Sequence, residues 1–208
     1  MAQTTAALQA SRTEVPLWRR LVVATPVGWA LGVVAGVVLI VVVESLGIRE
    51  VQTPLVLGVA LGVSVQQSRA LRPVLGATRL RWVILSCLGL MAPFIAADAA
   101  AALGRPRTYN LVVFVILGGL ILSVLQWSVL RLVVHRARGW LIASPTGYIA
   151  AAGTLWFSDH VLPKTPGIAG ALQYLAVILF GGVLLGVPTA IAAGRFQPHA
   201  SSGSHNVV

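Results

Sequence analysis

The sequence predicts an all-α integral membrane protein, with six transmembrane helices arranged as three two-helix hairpins repeated in the same orientation. Three observations carry that expectation. Of 208 residues, 57% are hydrophobic and 10% charged, with mean hydropathy +0.89; soluble domains carry about 25% charged residues. A soluble chain of this length cannot bury so much apolar surface and still cover itself with polar groups. Uncharged runs bounded by arginines on one side and acids on the other recur along the chain, as in Gly139 to Ser158 between Arg138 and Asp159. A hydrocarbon layer about 30 Å thick needs roughly twenty such residues at 1.5 Å rise each. The third observation is a repeat with a period near 60.

In chain order, residues 1–20 form a polar cytoplasmic segment containing Arg12, Glu14, Arg19 and Arg20. The first uncharged run, Leu21 to Val43, is 23 residues long. A cleavable secretory signal has an apolar stretch of only about 7–15 residues, so the run reads as a retained span. Span two, Val51 to Ser68, is the weakest: 18 residues that include Gln52, Pro54, Gln66 and Gln67. Span three starts at Trp82 and reaches about Leu103, with Asp98 inside its outer end. Span four runs from about Thr108 to Leu130 and span five from Gly139 to Ser158. Span six, Ile168 to Ala192, lies in the last uncharged run, with Pro188 near its inner end. The tail 195–208, rich in Ser, His and Gly, reads as disordered and cytoplasmic.

Arginine and lysine in short loops set orientation. Eleven of the fifteen fall on one side of this arrangement and four (Arg49, Arg105, Arg107, Lys164) on the other. Both termini are therefore expected in the cytoplasm of a bacterial inner membrane. The net charge of +10 invites a nucleic-acid reading, but the arginines cluster at the ends of apolar runs rather than forming a stripe with interleaved aromatics. Anionic lipid head groups are the partners that placement fits. The single cysteine, Cys87, excludes a disulfide framework.

The repeat aligns Ala24-Thr25-Pro26-Val27-Gly28-Trp29 with Leu85-Ser86-Cys87-Leu88-Gly89-Leu90 and Ala143-Ser144-Pro145-Thr146-Gly147-Tyr148. Gln67 and Leu71-Arg72 match Gln126 and Leu130-Arg131, while the third copy keeps only Arg195. The hairpins would span about 21–72, 80–131 and 139–194, giving approximate three-fold symmetry about the membrane normal. Inverted repeats, common in secondary transporters, are not what this pattern describes. Leu125-Gln126-Trp127-Ser128-Val129-Leu130-Arg131, followed by Ala137-Arg138-Gly139-Trp140 and Ala143 to Tyr148, resembles a recurrent pattern in a loose group of uncharacterised bacterial six-helix membrane proteins. The likeness covers about 30 residues, and the first copy departs from it with Gln67-Ser68 in place of a Gln-Trp pair. It implies the class and no catalytic residues.

Candidate site residues are few. Gln67 and Gln126 sit about one turn inside the cytoplasmic boundary, where an amide must find hydrogen bonds. They read as inter-helix bonds or, with Asn110, Ser64 and Ser123, as the lining of a polar passage. Asp98 lies at the C-terminal end of its helix, where the dipole disfavours an acid, so a cation such as Arg105 or Arg107 is its expected partner. Gly28, Gly32 and Gly36, Gly58 and Gly62, and Gly182 and Gly186 follow the four-residue spacing of close helix packing, within the chain or across a homo-oligomer seam. Trp18, Trp82, Trp127 and Trp140, with Tyr109, Trp156 and Tyr174, read as interfacial belts. The four histidines fall in loops and tail with no ligand spacing, so no metal and no cofactor is expected. There is no G-x-S-x-G, Walker loop or HExxH. The leading functional expectation is a non-enzymatic accessory subunit or self-assembling scaffold that contacts a membrane-protein partner or copies of itself. The alternative is a small transporter or channel for a neutral or weakly polar solute.

Overall fold

The structure is a computed structural model and describes residues 15–48, 51–105, 110–163 and 165–198. The N-terminal segment to Glu14, with Arg49, Arg107, Tyr109, Lys164 and the tail from His199, lies outside the described residues. About 85% of the described residues are helical. Six long helices account for this: α1 Leu17–Ser45, α2 Thr53–Ala70, α3 Arg79–Ala102, α4 Leu111–Leu130, α5 Trp140–His160 and α6 Gly167–Ala193. Among the described residues, four segments are long and apolar enough to cross a membrane: α1, Arg72–Ala102 (which contains α3), α4 and α6. The two remaining long helices carry more polar side chains along their length, Gln66, Gln67 and Arg69 on α2 and Ser144, Thr146, Thr154 and Asp159 on α5.

Local chemistry sets the helix ends. Pro16 precedes α1 and its carbonyl accepts from the N–H groups of Arg19 and Arg20. Gly47 and Gly104 close α1 and α3 in left-handed conformations, φ 83° and 79°, which glycine adopts without a Cβ penalty. Asn110 caps α4, its side-chain oxygen accepting from Val113 N at 3.2 Å. Pro54 lies in the first turn of α2, where its missing N–H costs nothing.

Each helix packs on the next in sequence, and α6 closes on α1, so the six form a ring. Neighbours run antiparallel. Along α1 and α2, Gly28 meets Gly62 and Val63, Gly32 meets Gly58 and Val59, and Gly36 meets Leu55. A Cβ at Gly28 would stand 2.5 Å from the Gly62 carbonyl oxygen, so these backbones approach as only glycine permits. On α6, Gly182 faces Trp29 and Gly186 faces Pro26 and Thr25. All seven glycines of the sequence pattern thus pack against neighbours in the same chain.

The ring interior has two apolar clusters. One, around Trp29, Leu90, Phe94, Val115, Tyr148 and Leu185, fills the middle and one end. The other, around Leu21, Leu71, Trp82, Leu130 and Trp140, fills the opposite end. Trp82 and Trp140 are fully buried and meet edge to face at 5.5 Å, a contact worth about 1 kcal/mol beyond area burial. The sequence places both at an interfacial belt. That expectation fails because hydropathy does not distinguish an indole facing lipid from one facing the ring interior. Trp18 and Trp156 are exposed as belts require, and Trp127 carries the Arg131 guanidinium 5.0 Å above its ring.

The start of the tail also differs from expectation. A two-residue strand β1, Val134–His135, pairs antiparallel with β2, Gln197–Pro198. Phe196 packs 5.9 Å from Trp140. Residues 195–198 are therefore held against the loop between α4 and α5 rather than trailing free. That loop contains Arg136 at φ 62°, the sole positive-φ residue other than glycine among those described; the left-handed conformation costs an L-residue about 1 kcal/mol.

Candidate functional site

The most polar place inside the ring is a layer near the end that holds the second apolar cluster. Gln67 of α2 and Gln126 of α4 are 2% and 1% exposed. The Gln126 amide nitrogen donates to Ser86 Oγ of α3 at 2.8 Å and, weakly, to Gln67 Oε1 at 3.4 Å. Its carbonyl oxygen accepts the indole N–H of Trp140 from α5 at 2.8 Å. The Gln67 amide nitrogen in turn donates to Thr25 Oγ1 of α1 at 3.3 Å. Ser86 Oγ donates to the Trp82 carbonyl at 2.7 Å, so its hydroxyl is used in both senses. Five side chains from α1 to α5 are thereby tied into one chain of hydrogen bonds across the ring.

Burial gives this layer its energetic weight. An amide without partners in such a place would cost about 1–3 kcal/mol, and a network that satisfies its members rigidifies the core. The bonds of Gln126 to Ser86 and Trp140 are short, at 2.8 Å; the two that Gln67 makes, at 3.3 and 3.4 Å, lie just beyond the usual range. Ser86 and Trp140 are partners that sequence reasoning missed. The available signal was positional: Thr25, Ser86 and Ser144 occupy matching places in the aligned segments, and all three are buried.

The other candidates lie apart from the layer. Asn110 is exposed and its side chain is spent on capping α4. Ser64 Oγ stands 3.7 Å from Cys87 Sγ and donates to the Leu61 carbonyl at 3.3 Å. Ser123 donates to Gly119 O in its own helix. These three do not join the glutamines in one polar lining. Asp98 sits near the far end of the ring, where its Oδ2 accepts from Thr53 N at 3.2 Å and Thr53 Oγ1 at 2.5 Å. Thr53 opens α2, so the carboxylate lies at the positive end of a neighbouring helix dipole. That answers the dipole penalty of its own helix. Of the two cations expected there, Arg107 lies outside the described residues.

A cavity of about 120 Å³ runs along the ring axis on the Asp98 side of the layer. All six helices line it, among them Trp29, Val56, Phe94, Val115, Tyr148 and Ile178, and its walls are almost wholly apolar. A larger cleft of about 970 Å³ opens outside the ring, between the Trp140 end of α5 and the C-terminal end of α6. Arg136, Arg138 and Arg195 border it, above walls that include Ile142, Pro188 and Ile191.

No protein-family model matches the chain, and no curated protein or solved structure matches it either.

Proposed function

We propose that this chain is a non-enzymatic multi-pass protein of the bacterial inner membrane, acting as an accessory subunit or self-assembling scaffold. In this reading all six helices span the bilayer, with both termini and the layer of glutamines on the cytoplasmic side. Outward faces rich in exposed Val, Leu and Ile support insertion, for example Val34, Val41, Ile142, Ile168 and Leu172, each at least half exposed. So large an apolar exterior has no place on a soluble monomer. Three hairpins repeated in one orientation fit the same picture. Gly28 meets Val63, Gly89 meets Leu122 and Gly147 meets Leu185, which pairs the aligned glycine of each first helix with one point on its partner.

The observation that carries the functional reading is the use made of the glutamines. Their polar atoms are bound to Ser86, Thr25, Trp140 and each other, at burial near complete. A conduit for a polar solute needs such groups turned toward water, whereas a scaffold uses them to set helix register. Solute flux in proteoliposomes tests this. We expect glycerol and urea flux at the protein-free background for the wild type and for the Gln67→Leu/Gln126→Leu double variant. Flux above background that disappears in the double variant would instead make the protein a channel. Isolation in mild detergent should recover the chain in a complex, with itself or with another membrane protein.

A further inference from the structure

The cleft between α5 and α6 combines two features that no part of the ring interior shares. Its walls are apolar and outward-facing, with Ile142 74% and Ile191 58% exposed. Its rim is cationic: Arg136 and Arg138 come from the loop before α5, and Arg195 follows α6. All three arginines are exposed, and among the described residues no acid lines the cleft.

Sequence alone puts Arg195 57 residues from Arg138. The fold brings them to one rim by two devices, the pairing of His135 with Gln197 and Val134 with Pro198, and the packing of Phe196 on Trp140. Arg136 adds a third indication. It holds a left-handed backbone conformation at φ 62°, where glycine would be relaxed. An arginine there keeps its charge at the expense of backbone strain, and such strain collects at ligand sites.

From this geometry we propose that the cleft is a binding site for one anionic phospholipid, resting on the membrane reading given above. The phosphate lies among the guanidinium groups of Arg136, Arg138 and Arg195, whose planar donors suit a phosphate oxygen pair. One acyl chain runs along the wall formed by Ile142, Thr146, Pro188 and Ile191. Basic pockets between helices at the cytoplasmic surface select head groups of this charge. The volume, about 970 Å³, lies at the upper end of the range of ligand sites, roughly 300–1,000 Å³, as a head group with part of a chain requires. A binding event here would tie the tail to the α4–α5 loop and stiffen the hairpin of α5 and α6.

Native mass spectrometry of the full-length protein, released from micelles containing equal phosphatidylglycerol and phosphatidylcholine, measures the preference. We expect one phosphatidylglycerol retained on the order of a hundredfold over phosphatidylcholine, from three arginines together. Arg138→Gln with Arg195→Gln should reduce that preference about thirtyfold, the equivalent of about 1 kcal/mol per arginine at an anionic surface. These side chains are exposed, so the variants should fold. Thr146→Trp fills the cleft without touching the charges, and should lower retention of the lipid itself. Arg136→Gly relieves the strain, and should raise the thermal midpoint while weakening phosphatidylglycerol binding. Equal retention of the two lipids would overturn the proposal, as would a preference that survives loss of the arginines. Protection by inorganic phosphate alone, undiminished in Thr146→Trp, would make this a free-anion site and overturn the lipid. Release of the wild-type chain from membranes by alkaline carbonate would bring down the membrane reading beneath it; retention without lipid preference would remove only the cleft.

Discussion

Replacing Gln126 with leucine keeps nearly the same side-chain volume and deletes three hydrogen bonds at once. The loss is unequal among the partners. Ser86 Oγ still donates to the Trp82 carbonyl at 2.7 Å, so it is not orphaned. The Trp140 indole N–H loses its 2.8 Å acceptor and is left buried in a side chain with no exposed surface. An unmade buried donor costs about 1–3 kcal/mol. Relief from burying the amide offsets part of this, and side-chain hydrogen bonds between membrane helices average about 0.6 and reach about 1.7 kcal/mol. A loss of about 1–2 kcal/mol follows for Gln126→Leu. Gln67→Leu breaks only contacts of 3.3 and 3.4 Å and should cost about 0.5 kcal/mol, at the low end for a net hydrogen bond. Reversible unfolding in mixed dodecyl sulfate and neutral-detergent micelles, followed by tryptophan fluorescence, resolves the two. A double-mutant cycle with Trp140→Phe should return a coupling of about 1 kcal/mol, well within the range for contacting residues. If Gln67→Leu proved as costly as Gln126→Leu, or the coupling were zero, the layer would not work as described.

Two further substitutions separate packing from composition. Gly62→Ala places a methyl group into the backbone of α1 at Gly28 and Gly32 and should cost at least about 1–3 kcal/mol in the same unfolding assay. Gly153→Ala, with open space around it, should be neutral or stabilise by about 0.5–1 kcal/mol, because alanine suits a helix interior better. Asp98→Ala removes the acceptor from Thr53 N and Oγ1 at the start of α2. It should destabilise by about 1 kcal/mol, as loss of a helix cap does, with faster amide hydrogen exchange confined to the first turn of α2.

The helices themselves were legible because an uncharged run in this chain has one economical structure, and the runs coincide with α1 to α6 within a few residues. Leu21 to Val43 lies inside α1, and Gly139 to Ser158 differs from α5 by no more than two residues at either end. The glycine spacing was legible for the same kind of reason, since four residues return to one helix face. Which side of each helix faces inward was not. With apolar residues on every face, Trp82 and Trp140 look the same in sequence whether they meet lipid or each other. The bonds of Gln126 to Ser86 and Trp140 depend on helices three, four and five meeting at one level, a tertiary fact. Arg195 and Phe196 belong to a polar stretch whose composition reads as solvated; one strand pair and one ring contact decide otherwise. The three-arginine rim was invisible for that reason.

Cysteine accessibility tests the six-span arrangement most directly, because the native Cys87 is buried and should stay silent. Single cysteines at Ala77, Leu103, Leu132 and Val161, all exposed positions between helices, would be probed in intact cells with a membrane-impermeant maleimide. The account predicts labelling of Leu103→Cys and Val161→Cys from outside, and of Ala77→Cys and Leu132→Cys only after lysis. Labelling of Leu103→Cys and Leu132→Cys from the same side would contradict it.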